Sequence, residues 1–275
     1  MNRTKLHLTL LALLLGSVFA KAADFTSVDY PGASFTRATG VNAQGDVVGS
    51  YIAGGLSHGY SLIGGRLHSI EFPGATETGA RGINARGDIV GSYIDSSGLT
   101  HGYLLSRGAY TSIDFPGAVL GTSLLGINDA GVICGAYVDG TNTNHGITLK
   151  NGNFTVIDYP EPTDTLILGV SDSGVIVGAF EDFKGFQLDK GVFTRLSCPN
   201  SGFTSVRGIS SAGTIVGACF LSGIRHGYIL NNGLYTIIDF PGSTNDIAFG
   251  INAAGVIVGS YDDSNGATHG FVMHP

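Results

Sequence analysis

The chain has no tryptophan and only three cysteines, and charged residues make up 13% of it. With 44 glycines among 275 residues, such a composition describes short strands and tight turns rather than helices or a disordered tail. Lysine and arginine are scarce. From Ala23 onward there are 11 of them against 21 acidic residues, a balance that repels phosphate backbones. Nucleic acid and anionic lipid are therefore not expected partners. Long apolar runs are missing as well, except at the start.

That start reads as an export signal over residues 1–22. Arg3 and Lys5 give a basic opening, Leu6 to Phe19 an apolar stretch, and Ala20-Lys21-Ala22 a small-residue cleavage site. The stretch is 14 residues long, short of the roughly 20 that cross a bilayer as a helix; a retained anchor is the alternative. No cysteine stands at the cleavage point to carry a lipid. The expected product starts at Ala23, is a monomer without membrane insertion, and is secreted to the periplasm or the extracellular space.

What is abundant is repetition. VNAQGDVVGSY at Val41 returns as INARGDIVGSY at Ile83, INDAGVICGAY at Ile127, VSDSGVIVGAF at Val170, ISSAGTIVGAC at Ile209 and INAAGVIVGSY at Ile251. Two other phrases keep step with it. SVDYPG at Ser27 is followed at spacings of 42, 43, 44, 39 and 42 residues by SIEFPG, SIDFPG, VIDYPE, RLSCPN and IIDFPG. His58, His101, His145, Lys184, His226 and His269 each open a His-Gly-Tyr-like triplet. A period near 42 built only of strand-length pieces is the size of one propeller blade.

Each piece has a local cause. Asn42 and its counterparts bond their own turn and Gly45 supplies a positive φ, so two strands meet in a hairpin. Asp88 to Tyr93 reads as the next strand, rich in β-branched residues, with Gly91 where a side chain would obstruct a neighbour. His101 to Leu105 and Tyr110 to Phe115 follow as the third and fourth strands, the last ended by Pro116-Gly117. The chain opens on a fourth-strand phrase and closes on a third-strand phrase. The expected architecture is thus all-β: one domain over residues 23–275, a six-bladed β-propeller of four-stranded blades. Phe25 to Tyr30 completes the last blade and closes the ring, and a β-solenoid is the alternative.

The INxxGxIVG, HGF/HGY and IDFPGA phrases resemble the bacterial HAF-type extracellular repeats over Phe25 to His274. The family takes its name from a His-Ala-Phe motif, where this chain has His-Gly-Tyr or His-Gly-Phe. The resemblance implies a secreted or surface-associated protein and brings no catalytic residues with it. Some similar proteins end in a C-terminal sorting segment, a route not expected here with Pro275 directly after the last strand phrase.

No recognisable catalytic constellation is present. Histidines at equivalent places in five repeats would lie too far apart around a ring to share a metal ion, and are read as structural, bonded to a carboxylate or carbonyl. The recurring acids Asp29, Glu71, Asp114, Asp158 and Asp239 are read as turn residues rather than paired catalytic carboxylates. Loops at Asp139 to Asn144 and Asp262 to Gly266 lack the full calcium-loop pattern and are read as polar hairpins. No metal, cofactor or catalytic residue is expected.

Two features are sharper. Cys198 and Cys219 both stand where other repeats have an aromatic residue; if those aromatics touch elsewhere, the two cysteines form a disulfide, chance co-occurrence being the alternative. Cys134 replaces a core valine and reads as a buried free thiol. The residue before the Gly-Ile-Asn glycine varies as Thr39, Arg81, Leu125, Leu168, Arg207 and Phe249. If that strand is innermost, Arg81 and Arg207 face each other across the channel and could hold a carboxylate or sulfate, the alternative being pairing to local acids. The leading function is a non-enzymatic binding or structural module for an envelope or extracellular glycan or protein. The absence of tryptophan counts against sugar stacking, although Tyr and Phe offer faces. A hydrolase or lyase of an extracellular polymer, acting at the channel mouth, is the other.

Overall fold

The computed structural model describes residues 23–161, 163–182 and 184–275; the export signal expected over residues 1–22 lies outside the described residues. All regular structure in them is strand. β1 (Asp24–Val28) comes first, and the first repeat follows with β2 (Phe35–Val41), β3 (Val47–Ala53), β4 (Leu56–Ile63) and β5 (Arg66–Ile70). The second has β6 (Glu77–Ile83), β7 (Ile89–Ile94), β8 (Thr100–Ser106) and β9 (Ala109–Ile113). The third has β10 (Gly121–Ile127), β11 (Ile133–Val138), β12 (Asn144–Lys150) and β13 (Asn153–Val156). The fourth has β14 (Thr165–Val170), β15 (Ile176–Phe180), β16 (Lys184–Asp189) and β17 (Val192–Arg195). The fifth has β18 (Thr204–Ile209), β19 (Ile215–Leu221), β20 (Ile224–Asn231) and β21 (Leu234–Ile238). The sixth has β22 (Asn245–Ile251), β23 (Ile257–Asp262) and β24 (Thr268–His274).

Antiparallel pairing joins the strands of each repeat in sequence order. In the sixth repeat the place of the fourth strand is taken by β1, whose Phe25 lies opposite Met273 and whose Val28 lies opposite Gly270. Single parallel pairs, Phe35 with Thr268 and Gly121 with Thr100, tie two neighbouring repeats together at each place. The fourth-type strands end earlier than the sequence suggests, β1 at Val28 and β9 at Ile113. The cause is a competing bond: the Tyr30 amide donates to Thr36 Oγ1 at 3.1 Å and the Phe115 amide to Thr122 Oγ1 at 3.0 Å, turning the chain off the ladder.

The turns close as their residues dictate. Asn42 Oδ1 accepts from the amides of Gln44 and Asp46 at 3.0 and 2.9 Å, and Gly45 sits at φ +84°. The second-strand glycine is required by close approach. A Cβ on Gly91 would stand 2.0 Å from the Gly79 carbonyl oxygen and 2.9 Å from the Tyr103 ring, and Tyr103 is fully buried.

The core is divided between successive repeats. Val48, Ile70, Ala80, Ile83, Ile89 and Tyr103 form one such cluster, between the first and second. Val28, Ala38, Val47, Tyr60, Val258 and Val272 form the same kind of cluster between the sixth repeat and the first. First strands also touch in sequence, β2 with β6, β6 with β10, β10 with β14, β14 with β18 and β18 with β22, and β22 then touches β2.

Candidate functional site

All six first strands carry the same irregularity. The ladder of β2 against β3 slips between Ala38 and Gly40, and that of β6 against β7 slips between Ala80 and Gly82. Equivalent slips fall at Leu125, Leu168, Arg207 and Phe249. An extra residue in one strand is left without a ladder partner, and its side chain is re-aimed. Here the bulged residues are Thr39, Arg81, Leu125, Leu168, Arg207 and Phe249, and all six line one cavity of about 470 Å³. The varying position in the repeat is the bulge.

Arg81 and Arg207, singled out from the sequence, are thus brought to a common space. Two further arginines join them. Arg37 lies two residues before the bulge of β2, and Arg225 stands on β20 immediately before His226. The same two registers bring Ser123, Leu166 and Ile247, and Asn144, to the lining. Residues two apart on a strand share a face, so Arg37 is legible from the register of Thr39, whereas Arg225, on another strand, is not. Among the described residues, the lining includes no aspartate or glutamate.

Electrostatics at this mouth are those of crowded cations. Burial, then the charges of Arg37 and Arg207, hold the Arg81 guanidinium down to about 9. Burial, then Arg37 and Arg225, hold Arg207 down to about 10, and burial lowers Arg37. Arg207 lies over the Phe249 ring at 5.7 Å and Arg37 over Phe35 at 5.8 Å. Among the described residues, none of Arg37, Arg81 and Arg225 has a carboxylate within ion-pair distance, so pairing to local acids does not explain them. The Nε atoms of these three are buried without a hydrogen-bond partner among the described residues, so part of their desolvation cost is uncompensated within the chain.

Beneath the arginines lie two smaller spaces, of about 100 Å³ and about 80 Å³. Glycines bring the neighbouring first strands together there. A Cβ on Gly82 would stand 3.0 Å from Gly126 Cα, and one on Gly208 would stand 2.6 Å from the Phe249 carbonyl oxygen. At the far end Asn side chains run from repeat to repeat. Asn42 Nδ2 donates to the Asn84 carbonyl at 3.3 Å, Asn128 Nδ2 to Ser171 at 3.0 Å, and Asn252 Nδ2 to Asn42 at 2.8 Å. In the fourth and fifth repeats a shorter serine stands there and bonds its own turn, Ser171 Oγ accepting from the Val175 amide at 3.0 Å.

The histidines lie on the outer part of the repeats, each against the acid of the fourth-strand phrase. Nδ1 of His58, His101 and His145 meets Glu71, Asp114 and Asp158 at 2.9 Å, His226 meets Asp239 at 2.8 Å, and His269 meets Asp29 at 2.7 Å. Where Lys184 replaces histidine, Ser197 replaces the acid, and Lys184 pairs with Glu181 at 2.8 Å instead. Both members of the pair are thus changed in the fourth repeat. Burial resists ionisation of His101, but the carboxylates of Asp114 and Asp95 outweigh it and the pKa is raised. At His145 the Asp158 bond leads the same upward shift, and at His269 the carboxylates of Asp29 and Asp263 again outweigh burial. Asp139 and Asp263 cap their own hairpins, Asp139 Oδ1 accepting from the Thr141 and Thr143 amides at 2.8 and 3.0 Å, and Asp263 Oδ1 from the Asn265 and Ala267 amides at 2.8 and 2.9 Å.

Cys198 and Cys219 are joined as a disulfide with their Cα atoms 6.1 Å apart. Tyr30 and Tyr51 stack at 3.7 Å in the equivalent place, as do Phe72 with Tyr93, Tyr159 with Phe180 and Phe240 with Tyr261. Cys134 is a buried free thiol whose pKa burial pushes up to about 12.

No family model matches this chain, and no curated protein matches it. Solved structures do. The β-propeller domain of the Trilobed protease from Pyrococcus furiosus is similar at a TM-score of 0.52 and 11% identity, over 88% of this chain and 94% of that one. The fold is propeller-like. A structure assigned as TolB from Agrobacterium tumefaciens is similar at 0.57 and 13%, over 84% of this chain and 79% of that one. A mutant of the Aleuria aurantia lectin, in complex with Fucα1-6GlcNAc, is similar at 0.54 and 11%, over 87% and 93%. At such identities the likeness concerns the propeller-like fold alone. No helix among the described residues is long and apolar enough to cross a membrane.

Proposed function

We propose that this protein is an exported, non-enzymatic binding module whose six four-stranded blades form a closed propeller. The arginine mouth takes an anionic group of an envelope or extracellular glycan or protein. The observation that carries the reading is the cavity itself, lined by four arginines and, among the described residues, by no carboxylate. Carboxylate and sulfate oxygens match the guanidinium fork. The cationic mouth stands on a chain that is acidic as a whole, with a formal net charge of −7, so the positive field is local to the site.

Ring closure is supported by three contacts that an open solenoid gives no reason for: the β1–β24 ladder, the β22–β2 contact and the Asn252–Asn42 bond. Export is supported by the opening residues, by the disulfide, which persists in oxidising compartments, and by the resemblance of the repeat phrases to HAF-type extracellular repeats. The test is thermal unfolding of the chain from Ala23 in sulfate and in a panel of acidic oligosaccharides and peptides. A ligand that occupies the mouth raises the melting temperature with concentration, and the rise is absent in an Arg81→Ala/Arg207→Ala variant. Equal stabilisation of both proteins by every anion contradicts the proposal.

A further inference from the structure

The shape and lining of the mouth narrow the ligand class. Beneath the cavity of about 470 Å³ neighbouring first strands meet through glycine, a Cβ on Gly82 standing 3.0 Å from Gly126 Cα and one on Gly250 standing 3.3 Å from Gly40 Cα, so the floor is walled by closely packed backbone. A chain end or a small molecule suits such a mouth better than a continuous polymer.

The lining is also unequal around its circumference. Arginines come from the first, second and fifth repeats, whereas Leu125, Val138, Leu166 and Leu168 come from the third and fourth. Sugar rings carry hydroxyls on nearly every carbon, and an aliphatic wall leaves such groups unpaired at a cost of about 1–3 kcal/mol each. A fatty acid would suit that wall but offers a single carboxylate to the arginines, Ser123 and Asn144, all in the lining. A peptide offers amides to those two side chains and an apolar side chain to the leucines. Several mutually repelling guanidinium groups are better compensated by two negative charges than by one. Outside the cavity, Leu56, Val119, Leu120, Phe220 and Ile224 are exposed. They lie on the turns and strand ends on the same side of the repeats as the mouth, where a longer segment would continue.

We infer that the mouth captures the carboxyl-terminal end of a polypeptide. The terminal carboxylate and a nearby acidic side chain lie among Arg37, Arg81 and Arg207, and an apolar side chain rests on Leu125 and Leu168. This rests on the reading of the mouth as an anion-binding site and adds the kind of ligand and its direction of entry.

The experiment is fluorescence anisotropy with an N-terminally labelled hexapeptide pool holding one acidic residue and leucine or phenylalanine among the last three positions. The pool is prepared as the free acid and as the C-terminal amide, with an oligogalacturonate and laurate as competing probes. The free acid is expected to bind at least about tenfold more tightly than the amide, a difference of about 1.4 kcal/mol. Arg81→Lys and Arg207→Lys, which keep charge but lose the planar fork, are expected to weaken it while melting near the wild-type temperature. Equal binding of acid and amide overturns the inference. So does arginine-dependent binding of oligogalacturonate or laurate without peptide binding, which leaves the anion site standing. If sulfate too has no arginine-dependent effect on melting, the reading of the mouth falls as well.

Discussion

Asn252 and Asn42 are 210 residues apart in sequence, yet Asn252 Nδ2 donates to the buried Asn42 carbonyl at 2.8 Å. The same asparagine holds its own turn through Oδ1, which accepts from the Ala254 and Val256 amides at 3.0 Å each. One side chain therefore shapes a hairpin and ties the last repeat to the first. Replacing it leaves buried groups unpaired, so Asn252→Ala is expected to lower stability by about 1–3 kcal/mol, measured by urea unfolding. An unchanged urea midpoint would contradict the tie.

The disulfide stands in for a ring stack. Reducing Cys198–Cys219, which closes a loop of 21 residues, is expected to cost about 3 kcal/mol in the chain-entropy account. A Cys198→Phe/Cys219→Tyr variant rebuilds the pair found at Phe72 and Tyr93, and its melting temperature should not respond to reductant. The buried Cys134 thiol should resist alkylation until the protein unfolds. Rapid labelling of native protein at one thiol would refute that placement.

The repeat period, the strand order and the pairing of N-terminal and C-terminal phrases were all legible because each repeat states the same pattern six times. So was the relation of Cys198 to Cys219, since two aromatic positions changed together. Strand ends were less legible: Thr36 and Thr122 take amides that the pattern alone assigns to the ladder. Half of the arginine mouth was missed for a related reason. The bulge position varies visibly among the repeats, and Arg37 follows from it by the two-residue period of a strand, whereas Arg225 comes from another strand whose approach to the cavity only the folded chain reveals.

Acid stability should follow Asp246. In five repeats a threonine hydroxyl accepts the amide after the fourth strand; in the sixth Asp246 does so, with Oδ1 2.9 Å from the Phe240 amide and the residue 2% exposed. Burial raises its pKa from 3.8 to about 6. A carboxyl that holds its proton better folded than unfolded favours the fold below about 4, and the advantage is lost as pH rises to about 6. Asp246→Thr is expected to flatten that slope and to stabilise the protein by about 1–3 kcal/mol at pH 7. Denaturant titrations at pH 4, 5, 6 and 7 read both effects, and an unaltered slope in the variant would assign it elsewhere.

The histidines add a second slope at higher pH. His101, His145 and His269 have raised pKa values in the folded protein, so their contribution is complete below the unfolded value of 6.5 and fades as pH rises through the folded values. The groups are partly exposed and the effect is modest. His101→Gln should remove part of the loss between pH 6 and 8 in the same titrations; a steeper loss contradicts the sign.

Tyr103 carries a cost without a return. Its hydroxyl is buried with no hydrogen-bond partner among the described residues, and the equivalent places in the fourth and sixth repeats hold Phe186 and Phe271, also fully buried. Tyr103→Phe is expected to stabilise the protein by about 1 kcal/mol, read as a higher urea midpoint. A destabilisation of that size would mean that the hydroxyl has a partner.

The central claim is that a closed ring of bulged strands presents arginines to an anion, and its most direct measurement is a crystal structure of the chain from Ala23 grown or soaked with selenate. The account predicts an anomalous selenium peak in the mouth within hydrogen-bonding reach of Arg81 and Arg207, with β1 paired to β24. A mouth without selenium while the anion binds elsewhere on the surface, or a chain whose first and last repeats lie apart, would contradict it.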